Sequence, residues 1–131
     1  MIVIDASAVI ELLLQTALGR RVEARALDPD ERLHAPHLLD IEVTSVLRRM
    51  VQLKEVSASR AQQALDDHLS LLIERSAHRE LVHRAWDLRE SVTAYDGAYI
   101  ALAEALDAPL LTCDGRLARS HGHRASIELV K

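Results

Sequence analysis

The sequence predicts an α/β fold in which an open, mostly parallel β-sheet is covered by helices on both faces. Short apolar runs such as residues 2–5 and 109–113 have the composition of buried strands. Longer segments with helical spacing separate these runs, and strands that alternate with helices pair in parallel. A chain of 131 residues is long enough for one such domain, spanning residues 1–131, and too short for two typical ones.

The predicted elements follow one another without a linker or a repeat. The first strand, Ile2-Val3-Ile4, consists of β-branched residues without polar alternation. The helices carry apolar residues at intervals of three and four. In chain order, we predict strands at 2–5, 33–35, 72–76, 109–113 and 126–130, and helices at 7–16, 18–27, 37–54, 59–71, 80–91, 95–106 and 116–120.

Proline and serine set several of the helix boundaries. Pro29 ends the second helix, because proline cannot continue a helix. Pro36 favours the opening of the third helix. Ser59 and Gln62 have the spacing of a capping box, which predicts that the fourth helix starts at Ser59.

Composition argues against several classes of protein. The net charge of −4 is unlike that of a general nucleic-acid coat. The apolar runs are far shorter than a membrane span, and the N-terminus lacks the pattern of a signal peptide. The pairs His34/His37 and His121/His123 lack the cysteine–histidine spacing of a zinc site. Cys113 is the only cysteine, so no internal disulfide is expected, and a reducing cytoplasm is the expected compartment.

Three acidic residues occupy positions that ordinary surface charge does not explain. Asp5 and Asp114 each end an apolar strand, so both are expected at the carboxyl edge of the sheet, where ligands bind in such folds. Asp96 opens a helix that is almost wholly apolar. Carboxylates in such places lose hydration and repel one another unless they share a cation. The spacing leaves open whether the strands of Asp5 and Asp114 are neighbours.

Glu42 is a fourth acid in an awkward position. It comes three residues after Leu39 and four before Val46, so it borders the core-facing side of its helix. The structural alternative for Glu42 is a salt bridge to a buried arginine. The other acids have an alternative as well, since aspartate is a favoured helix N-cap and Thr93-x-x-Asp96 has capping-box spacing.

Together the four acids predict a divalent-metal site of the kind used in phosphate chemistry. Mg²⁺ and Mn²⁺ prefer oxygen ligands, and such ions lower the pKa of a bound water and neutralise charge on a phosphodiester. No nucleophilic side chain is then required, and Cys113 lacks a recognisable base partner. We interpret Ser7 and Thr112 as hydroxyls that orient Asp5 and Asp114 through hydrogen bonds.

Taken in order, these residues resemble the PIN-domain ribonucleases, and most closely the VapC toxins of bacterial toxin–antitoxin pairs. The resemblance runs from residue 1 to about residue 130, in the family's order and at its size. It is carried by four motifs: Asp5-Ala6-Ser7-Ala8, Glu42-Val43-x-x-x-Leu47-Arg48-Arg49, Tyr95-Asp96-x-x-Tyr99-Ile100-Ala101-Leu102-Ala103 and Thr112-x-Asp114-x-x-Leu117-Ala118.

The resemblance implies a three-layer α/β/α sandwich with a mostly parallel central sheet, a Mg²⁺- or Mn²⁺-dependent endoribonuclease activity, and a homodimer. It also implies a cognate VapB-type antitoxin that blocks the site. The acids that bind metal and catalyse cleavage in the family fall on Asp5, Glu42, Asp96 and Asp114. A further acid sometimes found just after the fourth is absent, which leaves open whether one or two ions bind. Asp40 either contributes in its place or faces solvent.

The sequence also indicates how the partners would be held. Three aromatic residues provide no platform for stacking successive bases, so RNA would be held through its phosphates by arginines. The candidates are Arg48, Arg49, Arg116 and Arg119. We expect the antitoxin to place an extended or helical tail over an apolar groove whose walls are the helices at 7–27 and 57–71. This tail would deliver a basic side chain to the acids.

Two other functions stay open at this point. An aspartate directly after the first strand also begins the aspartyl-phosphate phosphatases, in which that carboxylate is the nucleophile. Those enzymes usually carry a second aspartate two residues later and a nearby lysine, whereas this chain has Ser7 there and only Lys54 and Lys131 as lysines. The third function is a non-catalytic binding module whose acids hold structural Ca²⁺ or no ion.

Overall fold

Five short strands form one parallel sheet at the centre of the protein. The computed structural model describes residues 1–131. The sheet order is β3-β2-β1-β4-β5, and every neighbouring pair is parallel. With helices on both faces, the sheet confirms the predicted three-layer α/β/α sandwich. The strands are β1 (Ile2–Ile4), β2 (Leu33–Pro36), β3 (Ile73–Ser76), β4 (Leu110–Thr112) and β5 (Ile127–Leu129).

The helices occupy the predicted segments with shifted ends. They are α1 (Ala6–Leu13), α2 (Ala17–Ala26), α3 (Leu38–Gln52), α4 (Ala58–Ser70), α5 (Val82–Asp87), α6 (Ala94–Leu106) and α7 (Gly115–Ala118), with a 3₁₀ turn at His78–Leu81 before α5. None of them combines the length and the apolar composition that a membrane crossing requires.

Two predictions about helix ends were wrong. The N-cap of α4 is Ser57, whose hydroxyl accepts a hydrogen bond from the Arg60 N–H at 3.1 Å, and Ser59 lies inside the helix. The helix predicted at 80–91 is a 3₁₀ turn followed by the short α5. The apolar spacing that predicted this longer helix extends past the end of α5, because Leu88 in the following turn is also buried.

The chain order of the sheet reverses at β1. Val3 pairs with His34 of β2 on one side and with Leu110 of β4 on the other. In open α/β sheets, a crevice forms beyond the carboxyl ends of the strands at such a reversal. Because β1 and β4 pair directly, the strands that lead to Asp5 and Asp114 are neighbours, a point that the sequence left open.

The helix α6 is the most buried helix of the protein. All residues from Gly97 to Ala103 are buried, and the helix packs against β1, β2 and β4. Its first turn is capped by Thr93, whose hydroxyl accepts a hydrogen bond from the Asp96 N–H at 3.2 Å. This cap agrees with the capping-box spacing of the sequence, and it sets Asp96 at the exposed end of an otherwise buried helix.

The helix α2 packs closely against α1 at Gly19. A Cβ atom added to Gly19 would lie 2.0 Å from the backbone oxygen of Glu11. That oxygen is a backbone atom of α1, so it cannot rotate away from the added Cβ. The packing of α1 bears on the site, since Asp5 caps this helix by accepting the Ala8 N–H at 3.0 Å.

Gly19→Ala is expected to lower the free energy of unfolding by about 1–3 kcal/mol, the usual cost of overpacking, although alanine favours a helix more than glycine does. Chemical denaturation measures the change. Gly115→Ala is the matched control, because a Cβ there meets only the end of the flexible Arg119 side chain, at 3.0 Å from Nη1. Equal stability of Gly19→Ala and the wild type would contradict this account of the α1–α2 contact.

Candidate active site

Asp5 is the most firmly held of the four acids. It is buried at the end of β1, where its Oδ1 accepts hydrogen bonds from the Ala8 N–H at 3.0 Å and the Ser7 hydroxyl at 2.7 Å. The Thr112 hydroxyl donates to Oδ2. Burial raises the pKa of Asp5, these neutral donors offset part of that rise, and the charge of Asp96 adds to it. Neutral donors thus orient this side chain, and no basic side chain pairs with it.

Ser7 and Thr112 link the first helix to the neighbouring strand. Their hydroxyl oxygens lie 3.2 Å apart. Ser7 also accepts the Cys113 N–H at 2.9 Å, and Thr112 accepts the Asp114 N–H at 3.0 Å. Both hydroxyls therefore contact the Asp5 carboxylate, whereas Thr112 contacts the backbone of Asp114 and not its carboxylate.

Glu42 is half-buried on α3 and faces α6. Its Oε1 accepts a hydrogen bond from the Tyr99 hydroxyl at 2.7 Å. The partner of Glu42 is therefore this neutral hydroxyl and not the buried arginine of the structural alternative. Burial is the main cause of the raised pKa of Glu42, and the charges of Asp96 and Asp5 raise it further. The hydrogen bond from Tyr99 lowers the pKa only in part.

Asp96 and Asp114 complete the group. Burial raises the pKa of Asp96, the charge of Asp114 adds to the rise, and the charge of Arg116 opposes it. Asp114 is the N-cap of α7, because its Oδ1 accepts the Arg116 N–H at 2.8 Å. Its Oδ2 lies 3.5 Å from the Arg116 guanidinium. Asp5 and Asp114 therefore serve as helix caps and are also members of a charged cluster.

The four carboxylates form what we call the acid cluster: Asp5, Glu42, Asp96 and Asp114, at the carboxyl edge of the sheet. Asp96 is coupled by charge repulsion to each of the other three. As the side chains stand, no three His, Cys, Asp or Glu residues meet closely enough to hold one metal ion. The donors are nevertheless all oxygens, and burial and mutual repulsion raise the pKa of three of them. Such a donor set fits Mg²⁺ or Mn²⁺, which prefer charged oxygen ligands.

Asp40 does not belong to the acid cluster. The Arg75 guanidinium donates to its Oδ1 at 2.8 Å and to its Oδ2 at 3.0 Å, and His68 Nε2 lies 2.7 Å from Oδ1. Arg75 holds the pKa of Asp40 below its usual value. The side chain of Asp40 therefore joins α3 to β3 and α4 instead of contributing to the acid cluster, and it is partly exposed to solvent.

Of the four arginines predicted to bind phosphate, only Arg116 contacts the acid cluster. Arg48 and Arg49 are exposed on α3, about 9 Å or more along the helix axis from Glu42 at 1.5 Å per residue. Arg119 is exposed on the turn after α7 and folds back over Gly115.

Arg89, which the sequence did not single out, lies close to the acid cluster. It lines a cavity of about 370 Å³ together with Thr93, Asp96 and Arg116, and its guanidinium lies over the Trp86 ring, 4.5 Å from the ring centroid. Arg89 lies in the turn between α5 and α6, where neither periodicity nor spacing marks a residue as functional. Tyr99 was noted only as part of a motif, and its contact with Glu42 joins residues that are 57 positions apart.

Known proteins share this fold and this sequence. The chain matches the PIN domain family over residues 2–121. It is 46% identical over 130 residues to Ribonuclease VapC12 of Mycobacterium tuberculosis, covering 99% of each chain. It is 44% identical over 130 residues to Ribonuclease VapC1 of the same organism, covering 98% of this chain and 97% of that one. VapBC2 from Rickettsia felis, solved bound to a DNA fragment from their promoter, superposes with a TM-score of 0.71 over 100% of both chains at 14% identity.

The family match covers most of the chain, and the two mycobacterial relatives cover nearly all of it. The fold agrees with that match. The chain therefore belongs to the PIN-domain family, among its VapC toxins.

Proposed function

We propose that this protein is a Mg²⁺- or Mn²⁺-dependent endoribonuclease that hydrolyses RNA phosphodiesters and acts as the toxin of a VapBC-type pair. The acid cluster carries the proposal. Two of its members, Asp5 and Glu42, have neutral hydroxyl or N–H donors as partners and no basic side chain. The names of the mycobacterial relatives, both ribonucleases, support the reaction class.

The side chains of the acid cluster would hold one or two divalent cations. Such ions supply charge neutralisation at the scissile phosphate and lower the pKa of water. Asp5 presents a carboxylate fixed by Ser7 and Thr112, while Glu42 and Asp96 approach from two different helices. Arginine binds phosphate oxygens in bidentate fashion, which is the role proposed for Arg116 and, with it, Arg89.

The Cys113 thiol, which lies near Asp5, is not suited to attack phosphorus directly. Burial, with the charges of Asp5 and Glu11, raises the pKa of the Cys113 thiol to about 11, so the thiol stays protonated at neutral pH. The phosphatase alternative needs a lysine near Asp5. Lys54 lies beyond the end of α3 at Gln52, which is itself about 15 Å along the axis from Glu42 at 1.5 Å per residue, and this position disfavours that alternative.

Asp96→Asn separates a metal site from a structural one. The folded state raises the pKa of Asp96 above 3.8, so its ionised form destabilises the fold at neutral pH. The metal-free variant should therefore melt at or above the wild-type temperature at pH 7, and this advantage should shrink as the pH falls toward about 4. Added Mn²⁺ should raise its Tm less than that of the wild type, and RNA cleavage should fall at least about a hundredfold.

Asp107→Asn is the matched control, because Asp107 caps the opposite end of α6 in a left-handed conformation that asparagine also adopts. It should respond to Mn²⁺ and cleave RNA like the wild type. Wild-type cleavage that persists in excess EDTA would rule out the metal mechanism. Cleavage of RNA by Asp96→Asn at the wild-type rate would rule out the acid cluster as the catalytic site. If Asp96→Asn loses its response to Mn²⁺ but the wild type cleaves no RNA, the non-catalytic module would be favoured.

The antitoxin contact is proposed for a groove between α1, α2 and α4. A cavity of about 490 Å³ is lined there by Leu12, Leu27 and Leu71, with Glu23 and Asp67 among its polar members. Apolar side chains beside acidic ones suit an amphipathic tail that carries basic residues. These are the walls that the sequence suggested, and the VapBC2 assembly of the Rickettsia felis relative supports a VapB-type partner.

Leu27→Asp should weaken binding of the small protein encoded beside this gene by at least about tenfold, since a charge in an apolar contact costs more than 1.4 kcal/mol. Isothermal titration calorimetry measures the Kd. Leu53→Asp is the control, because both leucines are exposed C-caps, of α2 and α3 respectively, and Leu53 lies outside the groove. Unchanged affinity of Leu27→Asp, or the lack of any binding partner encoded nearby, would contradict the proposal.

A homodimer is proposed through a second, more apolar groove. This groove of about 630 Å³ lies along α5 and the start of α6, and Leu38, Val82, Trp86 and Ala98 line it. Val82 and Trp86 are 56% and 64% exposed, and large apolar side chains grouped on a surface mark an interaction site. Arg89 lines both this groove and the cavity beside Asp96, so a second copy would sit next to the acid cluster.

Trp86→Asp should convert the protein from a dimer of twice 14.6 kDa to a monomer. Buried aromatic anchors dominate such contacts, and an aspartate in their place would be desolvated without a partner. Sedimentation equilibrium measures the mass. Leu72→Asp is the control, because Leu72 is 93% exposed and lies outside the groove. A monomeric wild type at micromolar concentration would refute the dimer.

A further inference from the structure

Tyr99 is the only buried aromatic residue of the protein, and its polar end reaches the acid cluster. It is 1% exposed, whereas Trp86 and Tyr95 are 64% and 63% exposed. Tyr99 follows Asp96 by three residues, so the two side chains share one side of α6. Its hydroxyl donates to Glu42 on α3, and this hydrogen bond of 2.7 Å therefore connects the two helices that carry acids of the cluster.

The Tyr99 hydroxyl is the only hydrogen-bond donor that contacts the Glu42 carboxylate. A glutamate side chain has three rotatable bonds, and without a partner it samples several rotamers. The neighbouring Asp40 shows the alternative solution, since the Arg75 guanidinium both orients and compensates that carboxylate. A tyrosine hydroxyl is neutral, so it selects one orientation of Glu42 and leaves the negative charge available to a cation.

We propose that Tyr99 is a positioning residue that holds the Glu42 carboxylate in the direction required for a divalent cation. The proposal rests on the proposed function, because it assigns Glu42 to the cation site. If Tyr99 had a purely structural role, only its ring would matter, because the ring fills the core between α6 and the sheet. Phenylalanine keeps that ring and removes only the hydroxyl, so the two roles predict different outcomes.

The test is Tyr99→Phe in the full-length protein, measured with Mn²⁺ alone and then with RNA. Its metal-free Tm should stay close to that of the wild type, because the ring packing is kept. Its affinity for Mn²⁺, followed by the rise of Tm with Mn²⁺ concentration, should fall about ten- to a hundredfold, the usual effect of losing a side chain that orients a metal ligand. At saturating Mn²⁺, kcat should fall while KM for RNA stays within about twofold.

Two further variants sharpen the test. Tyr95→Phe removes the same atom from the exposed side of the same helix and should match the wild type in Mn²⁺ affinity and in kcat. In a Glu42→Gln background, Tyr99→Phe should cause no further loss of Mn²⁺ affinity, because a residue that acts through Glu42 has nothing left to orient.

The possible outcomes are distinct. If Asp96→Asn loses its Mn²⁺ response while Tyr99→Phe keeps wild-type Mn²⁺ affinity and kcat, the positioning role is refuted and the proposed function stands. A Tyr99→Phe protein that does not fold would also refute it, since the retained ring must suffice for packing. If the wild type neither responds to Mn²⁺ nor cleaves RNA, the positioning role falls together with the function.

Discussion

The hydrogen bonds to the Asp5 carboxylate are the contacts on which the geometry of the site depends. They come from the first turn of α1, through Ala8 and Ser7, and from the end of β4, through Thr112. One side chain therefore fixes the start of a helix relative to two adjacent strands. The same two hydroxyls receive the backbone N–H groups that follow β4, so the path of the chain into Asp114 is set by short polar contacts as well as by packing.

Asp40 and Glu42 are two residues apart on one helix and have opposite electrostatic environments. Asp40 faces β3 and α4, where Arg75 and His68 compensate its charge. Glu42 faces α6, where no basic side chain compensates it and the nearest charges are negative. The helix α3 thus divides a structural ion pair from an uncompensated carboxylate. The sequence placed Glu42 in the site but left the role of Asp40 open, because its partner Arg75 is 35 positions away along the chain.

The sequence predicted all five strands to within one residue. For β1 and β4 the signal is a short apolar run, which is typical of a strand buried on both faces. It predicted the grouping of Asp5 and Asp114, because parallel strands end at one edge. It did not predict the N-cap of α4, since Ser57 and Ser59 have the same capping chemistry and only the backbone path distinguishes them. Contacts between distant residues, such as Tyr99 with Glu42 and Arg75 with Asp40, leave no local signal in a single sequence.

Four helices, α1, α3, α6 and α7, begin at the edge of the sheet that carries the acids. A helix N-terminus carries roughly half a unit of positive partial charge, concentrated in its first turn. The backbone therefore directs several positive dipole ends at four like charges, with the single turn of α7 contributing least. This field reduces the repulsion that the carboxylates would otherwise exert on the fold. Part of the positive charge at this edge is thus supplied by the backbone itself, and it is present as soon as the helices have formed.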